Sequence, residues 1–238
     1  IKEYGADRQF LEDIGMEVKG LEFSEYVSKE SLAQQAGYSM ALKGPQHDEA
    51  WLIFMDMVNN QIPTFEDKAE ALYYYPLFRT WFGLLGLCKI VWNDVTPADN
   101  KTKYPPAVAA KIPEHVENYW KFFEGMTGIE LNEDKMIEQS ERVYNLQKIL
   151  CILLGYGTRK DDIPPMRAVG PVTAEEYESR RERYDKQLME EIGVDPEGKS
   201  VKEKLEIIRK YRYNQYNKVT DAAYNRRGWT KNGIPTLE

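Results

Sequence analysis

The sequence contains few of the residues from which metal and disulfide sites are built. Its 238 residues include two cysteines, Cys88 and Cys151, and two histidines, His47 and His115. Two cysteines are too few for a disulfide framework and too few to hold a metal cluster unaided. If Cys88 binds a metal centre, the other ligands must therefore come from elsewhere.

Several other features are missing from the sequence. No uninterrupted apolar run reaches membrane-spanning length, and the first residues lack the pattern of a secretory signal. There is no glycine-rich phosphate loop, no CxxC pair, no H-E-x-x-H helix and no nucleophile elbow. We therefore expect a cytoplasmic protein without a membrane span and without a self-contained catalytic motif.

Positive charge is not in excess. Acidic residues number 39 against 32 basic ones, which gives a net charge of −7. A broad positive field that would attract phosphate backbones is therefore absent, and we expect no nucleic-acid partner.

What the chain does contain is a series of helix signals. Hydrophobic residues make up 42% of it, enough for a core. Capping residues, apolar positions with a period near 3.6 and glycine or proline stops recur, and no segment alternates like a strand. The sequence predicts a mostly α fold, with helices over residues 28–43, 47–60, 65–75, 114–124, 133–154, 174–192 and 201–226.

Two polar, proline-containing segments punctuate these helices. The first, after residue 95, divides the chain into two predicted helical domains, residues 1–95 and 96–238. The second, TRKDDIPPMR over residues 158–167, is expected to lie outside the core because of its charges and prolines. The opening residues lack a Met, so we expect the chain to be part of a longer polypeptide.

The most unusual stretch is PLFRTWFGLLGLCKIVWND, residues 76–94, in which Gly83 and Gly86 precede Cys88. A glycine weakens a helix interior by about 1 kcal/mol. The pattern indicates either a backbone that approaches another group closely or a tight helix crossing around a buried thiol. By contrast, Cys151 on the long helix is expected in the core, and His115 is expected in a solvated first helical turn.

His47 follows a Gly-Pro turn, and the sequence predicts that it begins an apolar helix. At a helix N-terminus the dipole disfavours imidazolium, whereas a nearby carboxylate such as Asp48 or Glu49 favours it. The residue is then either a capping side chain or a group that transfers protons.

Several segments, taken in their order along the chain, resemble one known family. The sequence is similar to the C-terminal part of the tungsten-dependent aldehyde:ferredoxin oxidoreductases over essentially its whole length. Within that family it is most similar to the tungsten subunit of class II benzoyl-coenzyme A reductase. The segments are VKGLE (18–22), GPQH (44–47), GLCK (86–89), ERVYNLQKI (141–149), TRKDDIPPMR (158–167) and RRGWTKNGIPTLE (226–238).

The resemblance implies a tungsten–bis-pyranopterin cofactor with a [4Fe–4S] cluster beside it. It implies two packed helical subdomains of a larger oxidoreductase, whose N-terminal β domain is absent from this chain and carries three cluster cysteines. Cys88 would then supply the fourth thiolate, since such clusters normally need four. Iron–sulfur partner subunits in a hetero-oligomer would deliver low-potential electrons.

The expected reaction is reduction of an aromatic acyl-coenzyme A to a cyclic diene. Two alternatives stay open: oxidation of aldehydes to carboxylic acids, and a helical interaction module without catalysis. A ring-sized apolar cavity would be needed for the aromatic substrate. Its wall could come from a set of apolar side chains that could equally be core: Trp81, Phe82, Leu84 and Leu85.

The resemblance also assigns roles to particular residues. His47 aligns with a histidine close to the metal and would transfer protons, and Glu22 is a weaker candidate for lining the site. The family motif around the cysteine, Asp-x-x-Gly-Leu-Cys, has its acid facing the pterin, and Gly83 stands in its place here. Pterin contacts are therefore expected from three other residues: Thr80, Gly86 and Leu87.

Overall fold

The computed structural model describes residues 8–24, 26, 28–87 and 113–237. The protein is mostly helical, which confirms the predicted fold class. The elements in chain order are α1 (Arg8–Ile14), β1 (Glu17–Val18), β2 (Leu21–Glu22), α2 (Leu32–Met40), α3 (Phe65–Leu84), α4 (Pro113–Thr127), α5 (Glu133–Leu153), α6 (Met166–Val169), α7 (Ala174–Glu178), α8 (Arg181–Gln187) and α9 (Val201–Arg226), with π-helical turns at Phe54–Val58 and Leu188–Ile192.

Helix α3 is the central element of the described residues. It packs along α9 and α5, and α2 packs against both α3 and α9. Its C-terminal half adds a second apolar cluster, in which Phe78, Trp81 and Phe82 meet Tyr119 of α4. The predicted division between residues 95 and 96 lies outside the described residues and stays a prediction.

Pro76 lies inside α3, although the sequence predicted that it would end the helix. A proline has no N–H to donate to the carbonyl four residues earlier. Here that carbonyl, on Leu72, accepts a hydrogen bond from Nη2 of Arg227 at 2.7 Å. Because the guanidinium replaces the missing donor, the helix continues through the proline to Leu84.

The two glycines of the unusual stretch serve the end of α3. Gly86 has φ +69°, and its N–H donates to the Gly83 carbonyl at 3.1 Å while the Leu87 N–H donates to the Phe82 carbonyl at 3.3 Å. This is the Schellman pattern, which favours glycine at the residue with positive φ. Apart from the neighbouring backbone of α3 itself, no described atom lies within 4 Å of the place where a Cβ on either glycine would be. The tight helix crossing around Cys88 stays a prediction, because Cys88 lies outside the described residues.

The helix predicted over residues 47–60 is wrong in its first half. Regular structure is limited to the π-helical turn Phe54–Val58. The side chain of Gln34 explains why the helix begins later than predicted. Its Oε1 accepts hydrogen bonds from the N–H groups of Leu52 at 2.6 Å and Ile53 at 3.1 Å. Its Nε2 donates to the Ala50 carbonyl. These bonds hold residues 50–52 outside a helix, so His47 lies in a turn and does not cap a helix.

Other helix boundaries follow the sequence closely. The capping boxes of Thr64 with Asp67 and of Ser200 with Glu203 are formed, and Asn132 caps α5. The helix predicted over 174–192 is interrupted, because Arg180 leaves helical geometry with φ −139° and ψ 35°. Helix α4 runs past Gly125 to Thr127.

Candidate functional site

An open cleft of about 640 Å³ brings together two residues that the sequence singled out, His47 and Glu22. One side of the cleft is the segment that leaves β2, and the other side is the turn around His47. The remaining lining residues are Phe23, Ser24, Tyr26 and Gln46.

The first side is positioned by a two-residue β-hairpin. Lys19 and Gly20, between β1 and β2, have φ +59° and +77°, the signs that a type I′ turn requires. Beyond β2, the Phe23 N–H donates to the Met16 carbonyl at 2.9 Å and the Ser24 N–H donates to the Pro45 carbonyl at 2.8 Å. The second bond fastens the hairpin to the turn that carries His47.

The His47 turn is fixed from both of its ends. Gly44 has φ +112°, and a Cβ there would lie 2.8 Å from Cδ1 of Leu21, so a glycine allows the turn to lie against the hairpin. At the other end, the buried carboxylate of Glu49 accepts from the Leu42 N–H at 2.8 Å. Burial raises the pKa of Glu49, and the Leu42 hydrogen bond acts against that rise.

Two aromatic rings contact the imidazole of His47. The His47 ring centroid lies 5.3 Å from that of Tyr26 and 5.8 Å from that of Trp51, edge to face in both cases. Tyr26 and Trp51 are 4.4 Å apart. The cleft therefore combines an imidazole and a carboxylate with the aromatic side chains of Phe23 and Tyr26, which could pack against a planar molecule.

Three other predicted site residues, Thr80, Gly86 and Leu87, do not line this cleft. The hydroxyl of Thr80 donates to the Pro76 carbonyl at 2.8 Å, within α3. Gly86 and Leu87 form the end of that helix, and Cys88 lies outside the described residues.

The residues suggested as walls of a substrate cavity divide between core and surface. Trp81 and Phe82 are buried and Leu84 is 53% exposed. Leu85 packs on the cluster shared with α4. Cys151 is buried, as predicted.

The sequence missed a buried charge network. Asp162 Oδ1 lies 2.6 Å from Lys19 Nζ, and its Oδ2 lies 3.0 Å from Lys148 Nζ, with all three side chains at most 1% exposed. Tyr224 donates its hydroxyl to the same carboxylate at 2.5 Å, and Tyr216 donates to the Asp162 carbonyl. The segment 158–167 is therefore partly core, contrary to prediction.

The network places two ammonium groups against one carboxylate. Burial alone would raise the pKa of Asp162, but Lys19 and Lys148 hold it below its usual range. Burial lowers the pKa of Lys148, against the opposing effect of Asp162. Lys148 shares the buried face of α5 with Met136, Ser140, Tyr144 and Cys151. In the sequence, the helical spacing of Lys148 from these residues was the pattern that could have indicated a buried lysine.

A comparison with protein families now decides the assignment. A family model described as aldehyde ferredoxin oxidoreductase, domains 2 and 3, matches residues 1–238. The chain belongs to the aldehyde ferredoxin oxidoreductase family. No curated protein gives a significant match.

Membership of the aldehyde ferredoxin oxidoreductase family supports an oxidoreductase function of the tungsten–pterin type. Three of the segments that carry the resemblance meet in space, because VKGLE, ERVYNLQKI and TRKDDIPPMR supply Lys19, Lys148 and Asp162 of the buried network.

The described residues could contribute one wall of a tungsten–pterin site, but they offer no metal-binding group of their own. Within residues 8–24, 26, 28–87 and 113–237, no three His, Cys, Asp or Glu side chains are grouped so that they could hold a metal ion. The cleft instead offers an imidazole, a carboxylate and a phenol. Such groups can bind and orient molecules or move protons. In the same ranges, no helix is both long and apolar enough to cross a membrane.

Proposed function

We propose that this chain is the helical part of a tungsten–bis-pyranopterin oxidoreductase that reduces the ring of benzoyl-coenzyme A to a cyclic diene. The observation that carries the proposal is the meeting of His47, Glu22 and an aromatic wall in one cleft. Ring reduction adds protons as well as electrons, and the imidazole is a suitable proton donor near neutral pH. Family membership supports the general part of this proposal, which is an oxidoreductase function.

The residues of the cleft have distinct roles in this proposal. His47 holds the proton on its imidazole and donates it to the substrate. Tyr26 packs against the flat ring and excludes water, and Trp51 orients Tyr26 and His47 through its ring contacts with both. Glu22 accepts hydrogen bonds and orients the substrate. The bound tungsten–pterin group supplies the electron transfer.

The end of α3 would face the cofactor. Cys88 is proposed as the fourth cluster thiolate, and the backbone groups of Gly86 and Leu87 as pterin contacts. The Thr80 hydroxyl donates its hydrogen to Pro76, so its oxygen still has a lone pair that can accept from a pterin amino group. Iron–sulfur subunits of a hetero-oligomer would deliver electrons to the cluster.

Substitution of His47 tests the proton-transfer role. In the purified holoenzyme, we expect His47→Asn to lower benzoyl-coenzyme A-dependent oxidation of a reduced viologen by about 100-fold or more. Tungsten and iron contents should be unchanged. Asp48→Asn is the matched control, because Asp48 is adjacent and pairs with Lys43 at 3.4 Å. Unchanged turnover in His47→Asn would contradict the role.

Membership of the aldehyde ferredoxin oxidoreductase family favours aldehyde oxidation as a second candidate. Assays of aldehyde-dependent viologen reduction and of benzoyl-coenzyme A reduction on one preparation separate the two. If both are absent and the native protein holds no tungsten, the chain is instead a helical interaction module. Its cytoplasmic location stays a prediction.

A further inference from the structure

Helix α5 has an apolar outer face in addition to its buried face. The buried face contains Tyr144 and Cys151. On the outer face three leucines are at least half exposed, which means that the described residues leave them uncovered: Leu146, Leu150 and Leu153. The name α5 seam is used below for four residues of the outer face: Val143, Leu146, Leu150 and Leu153.

The α5 seam has the spacing of a coiled-coil interface. Its residues follow one another at intervals of three, four and three positions. This is the alternation of a and d positions in a heptad repeat, which brings one row of apolar side chains against a second helix. The spacing therefore favours another helix as the occupant of this face.

A shallow groove of about 360 Å³ lies at the N-terminal end of the α5 seam. Its lining residues occupy positions i, i+3, i+4 and i+7 of the helix: Gln139, Arg142, Val143 and Leu146. Four residues at these positions form the hole into which a facing helix inserts one side chain. At the other end of the seam, Leu153 is 76% exposed and has the size to fill such a hole. Helix α5 therefore has both complementary parts on the same face.

Shape and charge both favour an antiparallel arrangement of two such helices. Only an antiparallel pair brings Leu153 of one copy to the groove of the other. Arg142 lines that groove and forms no ion pair with a described residue. In the antiparallel pair it lies beside the C-terminal end of the other α5, where the helix dipole favours a cation.

The area of the outer face is at the lower limit for a dimer. With Ile149 and Leu154 at its edges, the α5 seam presents on the order of 500 Å² of apolar surface. Two copies would bury on the order of 1,000 Å², the lower end of the range for specific interfaces. A two-fold axis lets the same surface serve on both copies, so no second surface is needed.

We infer that two copies of this chain pair through the α5 seam, with the two helices antiparallel about a two-fold axis. Val143 faces Leu153 of the partner copy, and Leu146 faces Leu150 of the partner copy. The inference concerns assembly alone and does not depend on the reaction proposed for the His47 cleft.

Cross-linking of single-cysteine variants tests the arrangement. In an antiparallel pair, Ile149 lies at the edge of the seam beside Ile149 of the partner copy, whereas the two Leu153 side chains lie at opposite ends. We expect Ile149→Cys in the purified holoenzyme, treated anaerobically with a short bismaleimide, to give a species of twice the mass of the polypeptide that contains this chain. Leu153→Cys should not exceed the wild type, which carries Cys88 and Cys151. Lys210→Cys, at an exposed position of α9, is the control and should not exceed it either.

Two double variants test the pairing by charge. Because Leu146 faces Leu150 of the partner copy, Leu146→Asp with Leu150→Lys places opposite charges together. Leu146→Asp with Leu150→Asp places like charges together. Sedimentation of the holoenzyme should give a dissociation constant for the two copies at least tenfold higher in the second variant than in the first. Both sites are exposed, so the fold and the tungsten and iron contents should be retained.

Three results would overturn the inference. One is the absence of an Ile149→Cys cross-link between copies, with the thiol either unreacted or joined to another subunit. The α5 seam would then be covered by a different part of the protein or by an iron–sulfur subunit. The others are cross-linking through Leu153→Cys, which indicates parallel helices, and equal dissociation constants in the two charge variants.

Discussion

Asp162 has an environment that few carboxylates share, since two lysine side chains and two tyrosine hydroxyls converge on it and its backbone in the interior. Desolvating ions costs several kcal/mol each, and their mutual attraction offsets this only with good geometry. The Asp162 carboxylate thus offsets part of the free-energy cost of burying both lysine side chains.

Replacing Asp162 by Asn should destabilise the protein by about 3–5 kcal/mol, because Lys19 and Lys148 would stay buried without a counter-charge. Urea unfolding of the variant measures the loss. The control is Asp221→Asn, which breaks the pair with Arg159 at 2.5 Å. That carboxylate is 60% exposed, so the control should lose no more than about 1 kcal/mol. Equal losses in the two variants would contradict the account of the network.

One hydrogen bond from the end of α9 completes the backbone hydrogen bonding of α3 at its proline. Pro76 leaves the Leu72 carbonyl without a donor in its own helix, and Arg227, just after α9, provides one. The arginine also lies over the rings of Tyr144 at 4.4 Å and Trp229 at 5.2 Å, which fixes its direction.

A double-mutant cycle tests this dependence. Arg227→Met should cost more in the wild-type background than in Pro76→Ala, since the alanine N–H can donate to the Leu72 carbonyl. The expected coupling is about 1–3 kcal/mol, measured by denaturant unfolding of the four proteins. Arg226→Met, which breaks the pair with Glu70 at 2.6 Å, should show no coupling to Pro76. Additive effects of Arg227 and Pro76 would refute the compensation.

The His47 turn should respond to pH through Glu49. Because burial raises the pKa of Glu49 above its ordinary 4.5, the folded state binds the proton more tightly than the unfolded state. This group therefore destabilises the fold progressively as pH rises above 4.5. Glu49→Gln keeps an acceptor for the Leu42 N–H and removes the ionisation. Its stability relative to the wild type should increase as pH rises from 4.5, and a difference that does not change with pH would argue against a raised pKa.

Local signals explain which elements could be predicted. The caps at Thr64, Asn132 and Ser200 lie next to the residues they contact, so these helix starts were predictable. The continuation of α3 through Pro76 and the late start of the π-helical turn depend on Arg227 and Gln34, which are distant in sequence. In the candidate site, His47 was singled out by its place after a Gly-Pro turn and by the family resemblance, and Glu22 by the resemblance alone, whereas the aromatic contacts of His47 arise only from packing.

Helix α5 has an apolar stripe that faces away from the protein interior. Four leucines of its apolar pattern lie toward solvent, and its buried face contains a serine and a lysine. The exposed fractions are 56% for Leu146, 50% for Leu150, 76% for Leu153 and 73% for Leu154. Exposed apolar patches of this kind promote association.

Leu153→Lys together with Leu154→Lys should change stability by about 0.5 kcal/mol or less, because surface positions contribute little. The added cations lie at the C-terminus of α5, where the helix dipole favours positive charge. Light scattering at increasing concentration should show less self-association than in the wild type. Tyr144→Phe, a buried change on the same helix, is the control and should leave association unaltered.

The pairing of Lys19 with Asp162 also has a consequence for biosynthesis. Well over half of the chain separates the two residues. The hairpin therefore emerges from the ribosome before Asp162 has been synthesised. During that interval the Lys19 ammonium has no carboxylate to meet in the interior and stays hydrated. The N-terminal hairpin, and with it one side of the His47 cleft, should therefore be among the last parts of the nascent protein to become ordered.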